Sequence, residues 1–325
     1  MKLLRDAEID PAPLAGRRVA ILGYGNQGRA QALNLADSAI DVVVGLRDGS
    51  PSAARVAADG LSSAPIDDAV AGAQLVMMLA PDEMLAALYR SIEPYLAQGA
   101  ALGFSHGLAI RFEKIVPRAD LDVIMVAPKG PGTALRSLYL EGKGIMALYA
   151  VAQDASGGAE ALALAYGRAL GCGRAGLMPT SFAEECDADL FNEAAVVWGT
   201  VPEILIAGYD VLVEAGISEE VAYMECVGEL KLLADLIEAR GIAAMRAAIS
   251  NTAELGAVTG GPRIVDDRVR SEMRAILAEI RSGAFAAALS DEAAANYPVL
   301  KAERARSAAL PVERARTSLK RLLDD

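Results

Sequence analysis

The segment from Arg17 to Ala36 constrains the fold more than any other part of this 325-residue chain. A short apolar run, Arg17 to Leu22, leads into a glycine motif and then into a helical pattern from Arg29 to Ala36. The motif reads Gly23-Tyr24-Gly25-Asn26-Gln27-Gly28. In such a GxGxxG loop the first glycine permits a tight turn, the second lets the backbone approach a pyrophosphate, and the third allows close helix–strand packing. A second apolar run, Asp41 to Gly45, completes a βαβ pattern, so the segment predicts a Rossmann dinucleotide-binding domain.

Three further apolar runs predict strands, at 74–79, 100–104 and 123–126. In open α/β sheets, ligands bind beyond the carboxyl ends of the strands. His106, the single histidine, and Lys129, in the Gly/Pro-rich loop APKGPG, follow two of these runs. A lone histidine is more often structural than catalytic, but its position at a strand end favours a catalytic role here. We therefore predict His106 and Lys129 as catalytic residues.

The loop after the second strand bears on the choice of cofactor. Folds that bind NAD usually place an Asp or Glu there to hold the ribose 2′-hydroxyl. This chain has Arg47, Ser50 and Ser52, whose guanidinium and hydroxyl groups suit a 2′-phosphate. The loop thus predicts NADPH, although Asp48 keeps the use of both cofactors open and an ordinary polar loop is a further alternative.

The C-terminal half predicts helices. After a strand at 146–151 and a helix at 159–170, strand-like sequence becomes scarce, and amphipathic helical patterns begin near Ser181. Breaks are expected at Gly199, Gly216, Gly241 and 260–262, and a charged surface helix at 301–321. We predict a Rossmann NADP-binding domain at 1–180 and a helical domain for metal, substrate and dimerisation at 181–325.

Four carboxylates in this half form two pairs. Asp189 and Glu193 are four residues apart, as are Glu225 and Glu229, and residues at i and i+4 share one face of a helix. Clustered carboxylates repel one another unless cations neutralise them, and hard oxygen ligands suit Mg²⁺. Solvated helix faces are the ordinary alternative, but the apolar neighbours of both pairs argue against simple exposure. A metal site is therefore possible.

Composition narrows the class of protein. The 31 basic and 43 acidic residues give a net charge of −12, so nucleic acid is not expected as a partner. We find neither a signal-peptide core nor an uncharged apolar run long enough to span a membrane. The three cysteines lack CxxC spacing, so no disulfide framework or zinc site is expected. These features predict a cytoplasmic enzyme with a small-molecule substrate.

The segments GYGNQG, GLRDGSPS, SHG, APKGPG, DLFNE, ECVGELK and ISNTAE together resemble ketol-acid reductoisomerase (acetohydroxyacid isomeroreductase) in its short, class I form, from about residue 15 to 320. The resemblance implies a Rossmann domain followed by a knotted all-helical domain. It implies NADPH, two Mg²⁺ ions and a homodimer or a larger oligomer built from dimers. The implied reaction converts 2-acetolactate or 2-aceto-2-hydroxybutyrate to the 2,3-dihydroxy acid in isoleucine and valine biosynthesis.

The same resemblance implies roles for the metal and substrate residues. Asp189 bridges the two Mg²⁺ ions and Glu193 binds one of them. Glu225 and Glu229 hold the second ion, and Glu229 also relays protons. Ser250, supplied by the partner subunit, contacts the substrate carboxylate.

For the Rossmann half, the resemblance implies that Lys129 lies beside a metal-bound water and His106 near the nicotinamide. The positions implied to contact the cofactor are Gly23, Tyr24, Gly25, Asn26, Gln27, Gly28, Arg47, Ser50, Ser52, Asp82, Glu83, Met84, Leu85 and Gly132.

Several positions depart from the family pattern. Asn192 and Ala194 stand where the family usually has Gly and Gln, Gly228 replaces a His and Ala257 an Asp. None of these changes removes an implied ligand. The standard reaction is predicted, with two alternatives open: a paralogue that reduces or isomerises a different 2-keto or acetohydroxy acid, and a catalytically silent NADP-binding protein.

Overall fold

The computed structural model describes residues 2–324 and divides into two compact units, Met1–Ala188 and Asp189–Asp325. The first unit alternates strands and helices, and the second is helical. This confirms a Rossmann-like α/β domain followed by an all-α domain. The boundary predicted at 180/181 lies just before helix Phe182–Ala195, whereas the two compact units divide within that helix. The knot remains a prediction.

The first unit contains one eight-stranded sheet in the order β3-β2-β1-β4-β5-β6-β7-β8. Neighbouring strands are parallel except β6 and β7, which are antiparallel. The strands are β1 Arg18–Leu22, β2 Asp41–Leu46, β3 Ser62–Pro65, β4 Leu75–Met78, β5 Ala101–Phe104, β6 Asp122–Pro128, β7 Ala147–Gln153 and β8 Leu177–Pro179.

Both faces of this sheet are covered, which explains why its central strands read as continuous apolar runs. Side chains alternate along β1, so that Val19 and Ile21 enter one core cluster while Ala20 and Leu22 enter the other. The helices of this unit are α1 Asn26–Asp37, α2 Ser52–Ala58, α3 Ile66–Ala71, α4 Asp82–Ile92, α5 Leu108–Arg111, α6 Gly132–Leu140 and α7 Ala159–Ala169.

Two strands were not expected from the sequence. Ser62–Pro65 is an edge strand that is mostly exposed, and Leu177–Pro179 has only three residues. The first carries no run of apolar residues and the second, Leu-Met-Pro, is too short to be recognised as one, so the sheet pairing defines both strands.

The second unit contains the helices that follow α8 Phe182–Ala195. They are α9 Thr200–Glu214, α10 Glu219–Tyr223, α11 Leu230–Ala247, α12 Asn251–Ile264, α13 Asp267–Ser282, α14 Ala284–Ala294, α15 Pro298–Ala308 and α16 Pro311–Asp324, with a π-helical turn at Met224–Gly228.

Two expectations for the helical half were wrong in detail, and a third is confirmed. The break expected at 260–262 does not occur, because α12 continues through it and Pro262 lies in the last turn. The break expected at Gly241 is confirmed, because this residue has a non-helical φ of +73° and divides α11 into two helical parts. The single helix expected at 301–321 is two helices, since Pro311 starts α16 at a position where a helix tolerates a missing N–H.

One stretch, 182–214, is long and apolar enough to cross a membrane by length and composition alone, and 6% of its most apolar window is buried. It is not one continuous helix, because a turn at 196–199 separates α8 from α9. A single stretch of this kind is weak support for a membrane span, since helices of soluble proteins meet the same criterion.

Candidate active site

The glycine loop has the backbone that the motif predicts. Gly23 has φ +109°, and a Cβ there would collide with the Leu79 carbonyl at the end of β4. A Cβ on Gly28 would collide with the Gly23 carbonyl. For Gly25, in contrast, no atom of the described residues other than its own and those of its two chain neighbours lies within 4 Å of the position its Cβ would take. The first and third glycines are therefore required for packing, and the second leaves open space where a phosphate can approach.

The starts of α1 and α6 lie side by side at this loop. Gly132 begins α6, and a Cβ on it would collide with the Asn26 carbonyl. The Gln27 side chain donates a hydrogen bond to the Gly130 carbonyl at 2.9 Å and so joins the two loops. The first-turn N–H groups of a helix have no partner within the helix and suit anions. This arrangement fits the pyrophosphate of a dinucleotide.

A groove of about 530 Å³ opens between the starts of α1, α2 and α6. Three guanidinium groups border it: Arg29 is paired with Asp59, Arg136 with Asp37, and Arg55 is exposed. A basic lining of this kind suits phosphate groups. The groove is lined by Tyr24, Gly25, Asn26, Arg29, Ala30, Leu33, Ser52, Arg55, Gly132, Thr133 and Arg136.

Tyr24 points its hydroxyl into the protein. The side chain is buried, and its hydroxyl donates to Asp59 at 2.7 Å. Burial and this carboxylate raise the pKa of Tyr24. The Arg29 guanidinium donates two hydrogen bonds to Asp59, both at 2.6 Å, and lowers the pKa of that carboxyl to about 2. The phenol is thus held by Asp59, at the end of α2.

The predicted cofactor positions differ in their exposure. Arg47 and Asp48 are both exposed in the β2–α2 loop, and the Ser50 hydroxyl accepts a hydrogen bond from the Ser52 N–H at 3.3 Å. Asp82, Glu83, Met84 and Leu85 form the first turn of α4. Leu85 is 2% exposed and packs into the core, so that only its backbone could reach a ligand.

The most tightly built cluster lies just beyond β5 and β6. Glu185, on α8, is 1% exposed and accepts a hydrogen bond from the Gly107 N–H at 2.9 Å. Its Oε2 lies 3.0 Å from His106 Nδ1, and its Oε1 accepts from Lys129 Nζ at 2.7 Å. The sequence prediction named His106 and Lys129 but missed Glu185. Its position four residues before Asp189, on the same helical face, was the available signal.

The contacts within this cluster shift the pKa values of His106 and Glu185. Burial lowers the pKa of His106, but hydrogen bonds with Cys186 and Glu185 and the carboxylate charge raise it to about 11. Burial raises the pKa of Glu185, but His106 and Lys129 lower it overall. At neutral pH His106 is therefore an imidazolium and Glu185 a carboxylate. The Lys129 side chain keeps 32% exposure, so it remains accessible to a ligand.

Gly107 explains how α8 comes so close to the strand ends. A Cβ there would collide with the Phe182 carbonyl and lie 3.0 Å from the Cys186 Cβ. Only glycine lets the first turns of α8 pack directly on this loop. That contact brings Glu185 within hydrogen-bond distance of the Gly107 N–H.

The helix also fixes the first pair of predicted metal ligands. Asp189 lies one turn after Glu185 on α8, and ligand atoms of His106, Glu185 and Asp189 all lie within 4.8 Å of one another. Glu193 follows on the same face, one further turn along. Carboxylate oxygens are the donors that Mg²⁺ prefers, so the chemistry of this face fits the ion.

The second pair lies in a different environment from the one expected. Glu225 is in the π-helical turn, and Glu229 follows it immediately. Glu193, Glu225 and Glu229 are exposed, so the expectation that apolar neighbours bury these acids was wrong for the single chain. Within residues 2–324, none of the three belongs to a compact group of three or more potential metal ligands. π-Helical turns occur frequently at functional sites.

Ser250 is the N-cap of α12. It is exposed, and its hydroxyl accepts a hydrogen bond from the Ala253 N–H at 3.2 Å. A larger groove, of about 800 Å³, runs along α15 and α16 and contains none of the predicted site residues.

Comparison with known proteins identifies relatives over nearly the whole chain. Residues 13–176 match the family described as acetohydroxy acid isomeroreductase, NADPH-binding domain. Residues 182–324 match ketol-acid reductoisomerase, C-terminal domain. A solved NADH-preferring ketol-acid reductoisomerase from an uncultured archaeon is 42% identical, with a TM-score of 0.95, and the match covers 99% of each chain.

More distant structures share the fold alone. A putative oxidoreductase from Jannaschia sp. CCS1 is 18% identical, with a TM-score of 0.61, over 82% of this chain and 97% of that one. A semialdehyde dehydrogenase NAD-binding protein from Cupriavidus necator is also 18% identical, with a TM-score of 0.60, over 82% of this chain and 99% of that one.

Proposed function

Since the chain belongs to the ketol-acid reductoisomerase family, we propose that it converts 2-acetolactate or 2-aceto-2-hydroxybutyrate to the 2,3-dihydroxy acid, using NADPH and two Mg²⁺ ions. The observation that carries this proposal is the buried contact of Glu185 with His106 and Lys129 at the carboxyl edge of the sheet. Asp189 lies one turn further along the same helix. We propose a cytoplasmic location in branched-chain amino-acid biosynthesis.

The bound groups would supply Lewis-acid polarisation of the substrate oxygens and a hydride donor. Asp189 and Glu193 would hold metal from one helix face, Glu225 from the π-helical turn, and Glu229 from the position immediately after that turn. The glycine loop would orient the dinucleotide.

The residues of the cluster would orient and protonate the substrate. Lys129, partly exposed and held by Glu185, would direct its ammonium at a substrate oxygen where negative charge develops. His106 would act beside the nicotinamide, with its ring fixed by the same carboxylate. Because Glu185 touches both groups and is itself buried, we assign it a positioning role.

The preference for NADPH rests on three residues of the β2–α2 loop. Arg47 is exposed, and Ser50 and Ser52 lie at the start of α2, where their hydroxyls and the nearby Arg55 offer donors to a 2′-phosphate. Asp48, also exposed, opposes this preference, and the 42% identical relative prefers NADH. Measurement of kcat/KM with NADPH and with NADH decides between the two cofactors. Equal values, or a higher value with NADH, would overturn this part of the proposal.

One assay tests the reaction. NADPH oxidation is measured with 2-acetolactate and with 3-hydroxy-3-methyl-2-ketobutyrate, each with Mg²⁺ and with a chelator. Turnover of both substrates, dependent on Mg²⁺, supports the isomeroreductase. Turnover of the keto acid alone would indicate a simple reductase, and turnover of neither would favour a different acetohydroxy acid or a catalytically silent NADP-binding protein.

The helical unit supports a homodimer, or a larger oligomer built from dimers. Apolar side chains are exposed in two stretches of this unit, 196–206 and 230–237, for example Trp198 at 66% and Leu232 at 62%. Obligate interfaces are large and apolar, so a second copy is the proposed partner. The exposure of Glu225, Glu229 and Ser250 is consistent with residues that complete a site on that copy.

Subunit mixing tests this shared site. Inactive Asp189→Asn and Ser250→Ala proteins should regain activity after subunit exchange, because one site of the mixed dimer carries both native residues. Asp189→Asn mixed with Glu193→Gln is the control and should stay inactive, since both residues lie on one helix. A mixture of Asp189→Asn and Glu225→Gln shows which copy supplies Glu225. Recovered activity would mean that Asp189 and Glu225 of one site come from different copies, and no recovery would mean that they come from the same copy. Absence of complementation despite demonstrated exchange would exclude the shared site.

A further inference from the structure

A fully buried glutamine lies beneath the proposed active site. Gln31 is in the second turn of α1, has no solvent exposure, and faces the sheet. Its Nε2 donates to Gln27 Oε1 at 3.2 Å and to Ser105 Oγ at 2.9 Å. Its Oε1 accepts from the hydroxyl of Tyr166, which is also fully buried, at 2.7 Å. An unpaired amide in this position would be costly, but here both of its donors and its acceptor are used.

The hydrogen bond between Gln27 and Gly130 determines the orientation of the Gln31 amide. Gln27 Nε2 donates to the Gly130 carbonyl, so Gln27 Oε1 must face Gln31 as an acceptor. Gln31 must then present Nε2 to Gln27 and Oε1 to Tyr166, and the Tyr166 hydroxyl must donate. Reversal of either amide would place two acceptors or two donors face to face. The hydrogen bonds therefore define one arrangement.

Three chain segments meet in this network. Gln27 belongs to the glycine loop, Ser105 directly precedes His106, and Gly130 directly follows Lys129. Gln31 and Ser105 are 74 residues apart in the sequence, and Gln27 and Gly130 are 103 residues apart. An apolar side chain at position 31 could fill the same space, but it could not fix these loops relative to one another.

We propose that Gln31 is a positioning residue, which sets the dinucleotide loop at a fixed distance from the loops that carry His106 and Lys129. This inference rests on the proposed function and extends it. Misplacement of reacting groups by about 1 Å can reduce a rate roughly 100-fold. A buried network that allows one arrangement limits such displacement.

The test uses Gln31→Met, which keeps the volume and removes all three hydrogen bonds. The matched control is Asp122→Ala, at the amino end of β6 and thus at the opposite edge of the sheet. Asp122 is 3% exposed and accepts hydrogen bonds from the Ser156 N–H and hydroxyl at 2.9 and 2.7 Å. Both variants lose buried polar contacts, but only the first should affect the site. Urea unfolding measures the stability of each.

For the reduction of 3-hydroxy-3-methyl-2-ketobutyrate, we expect kcat of Gln31→Met to fall roughly 10- to 100-fold. The dissociation constant of NADPH, from its fluorescence, should change by less than about threefold. Tyr166→Phe, which removes only one of the three bonds, should lie between the wild type and Gln31→Met. Equal losses of kcat in Gln31→Met and Asp122→Ala, or an unchanged kcat in Gln31→Met, would overturn the proposal.

A second readout does not depend on turnover. His106 is the single histidine, so its ring gives one assignable set of NMR resonances. Saturation with NADPH should shift these resonances in the wild type and in Asp122→Ala, and the shift should be much smaller in Gln31→Met. If the wild type bound NADPH but turned over neither substrate, the proposed function would fail while this readout still tested the network. An equal shift in all three proteins would refute the role of Gln31.

Discussion

Replacement of Glu185 by Gln should uncouple the two cationic residues that this carboxylate holds. The change keeps the size of the side chain but removes its charge. Gln can still accept a hydrogen bond through its oxygen, but its amide nitrogen would face a donor, either His106 or Lys129. The mostly buried imidazolium would then lose its nearest counter-charge, and the partly exposed ammonium would lose its carboxylate partner.

The geometry sets the expected size of this effect. Removal of one partner from a buried ion pair costs about 3–5 kcal/mol. Glu185 is 1% exposed, but the Lys129 side chain is 32% exposed and can move towards water, which reduces the loss. We therefore expect Glu185→Gln to lower the free energy of unfolding by about 2–3 kcal/mol at neutral pH.

The loss should depend on pH in a defined direction. The pKa of His106 is raised above its ordinary value of about 6.5, so the stability it contributes is fully present below that pH and is lost as the pH rises towards about 11. In Glu185→Gln, the pKa of His106 should be lower than in the wild type, because the hydrogen bond and the charge of Glu185 are removed while Cys186 and Asp82 still raise it. The difference in stability between the two proteins should therefore grow as the pH falls from about 9 to about 6.5.

Two measurements on the metal-free protein check this prediction. Urea unfolding gives the change in stability, and NMR follows the single histidine. The ring should stay protonated across neutral pH in the wild type and lose its proton at a lower pH in Glu185→Gln than in the wild type. Glu184→Gln is the matched control, since Glu184 is adjacent and exposed and should change stability by less than about 0.5 kcal/mol. If the two variants had the same stability and the same histidine titration, the reasoning would be refuted.

Four further substitutions test the assigned roles of individual residues. Gly28→Ala should destabilise the protein by about 1–3 kcal/mol in urea unfolding, because its Cβ meets the Gly23 carbonyl. Gly25→Ala should change stability by less than about 0.5 kcal/mol but weaken NADPH binding; the reverse pattern would contradict the assigned glycine roles. Glu229→Gln should raise the Mg²⁺ concentration for half-maximal isomerisation at least about tenfold, with the exposed Glu238→Gln unchanged as control; equal values would exclude Glu229 as a ligand. The double replacement of Ser50 and Ser52 by Asp should shift the kcat/KM ratio towards NADH, by about 1.5–3 kcal/mol for each lost contact to the phosphate, and an unchanged ratio would contradict the assigned contacts.

The sequence by itself determined the order of elements in the first unit and the form of its glycine loop. Apolar periodicity is a local property, and a buried parallel strand needs apolar residues on both faces, so the runs at 18–22 and 41–46 could be recognised directly. The requirement for glycine at position 28 is equally local, since a Cβ there would meet the Gly23 carbonyl, and the positive φ at Gly23 belongs to the same turn between β1 and α1. The edge strand at 62–65 lacked such a signal because it is mostly exposed.

Only the tertiary structure decided which polar groups meet. Glu185 contacts Gly107 and Lys129, which are 78 and 56 residues away in the sequence. These contacts depend on how closely α8 packs on the loop at Gly107. Local periodicity specifies which face of a helix is apolar, but not which buried carboxylate or amide lies opposite which donor. The hydrogen bonds around Gln31 could not be predicted from the sequence for the same reason. Its partners come from distant segments, and their hydrogen bonds form only when the sheet has brought the strand ends together.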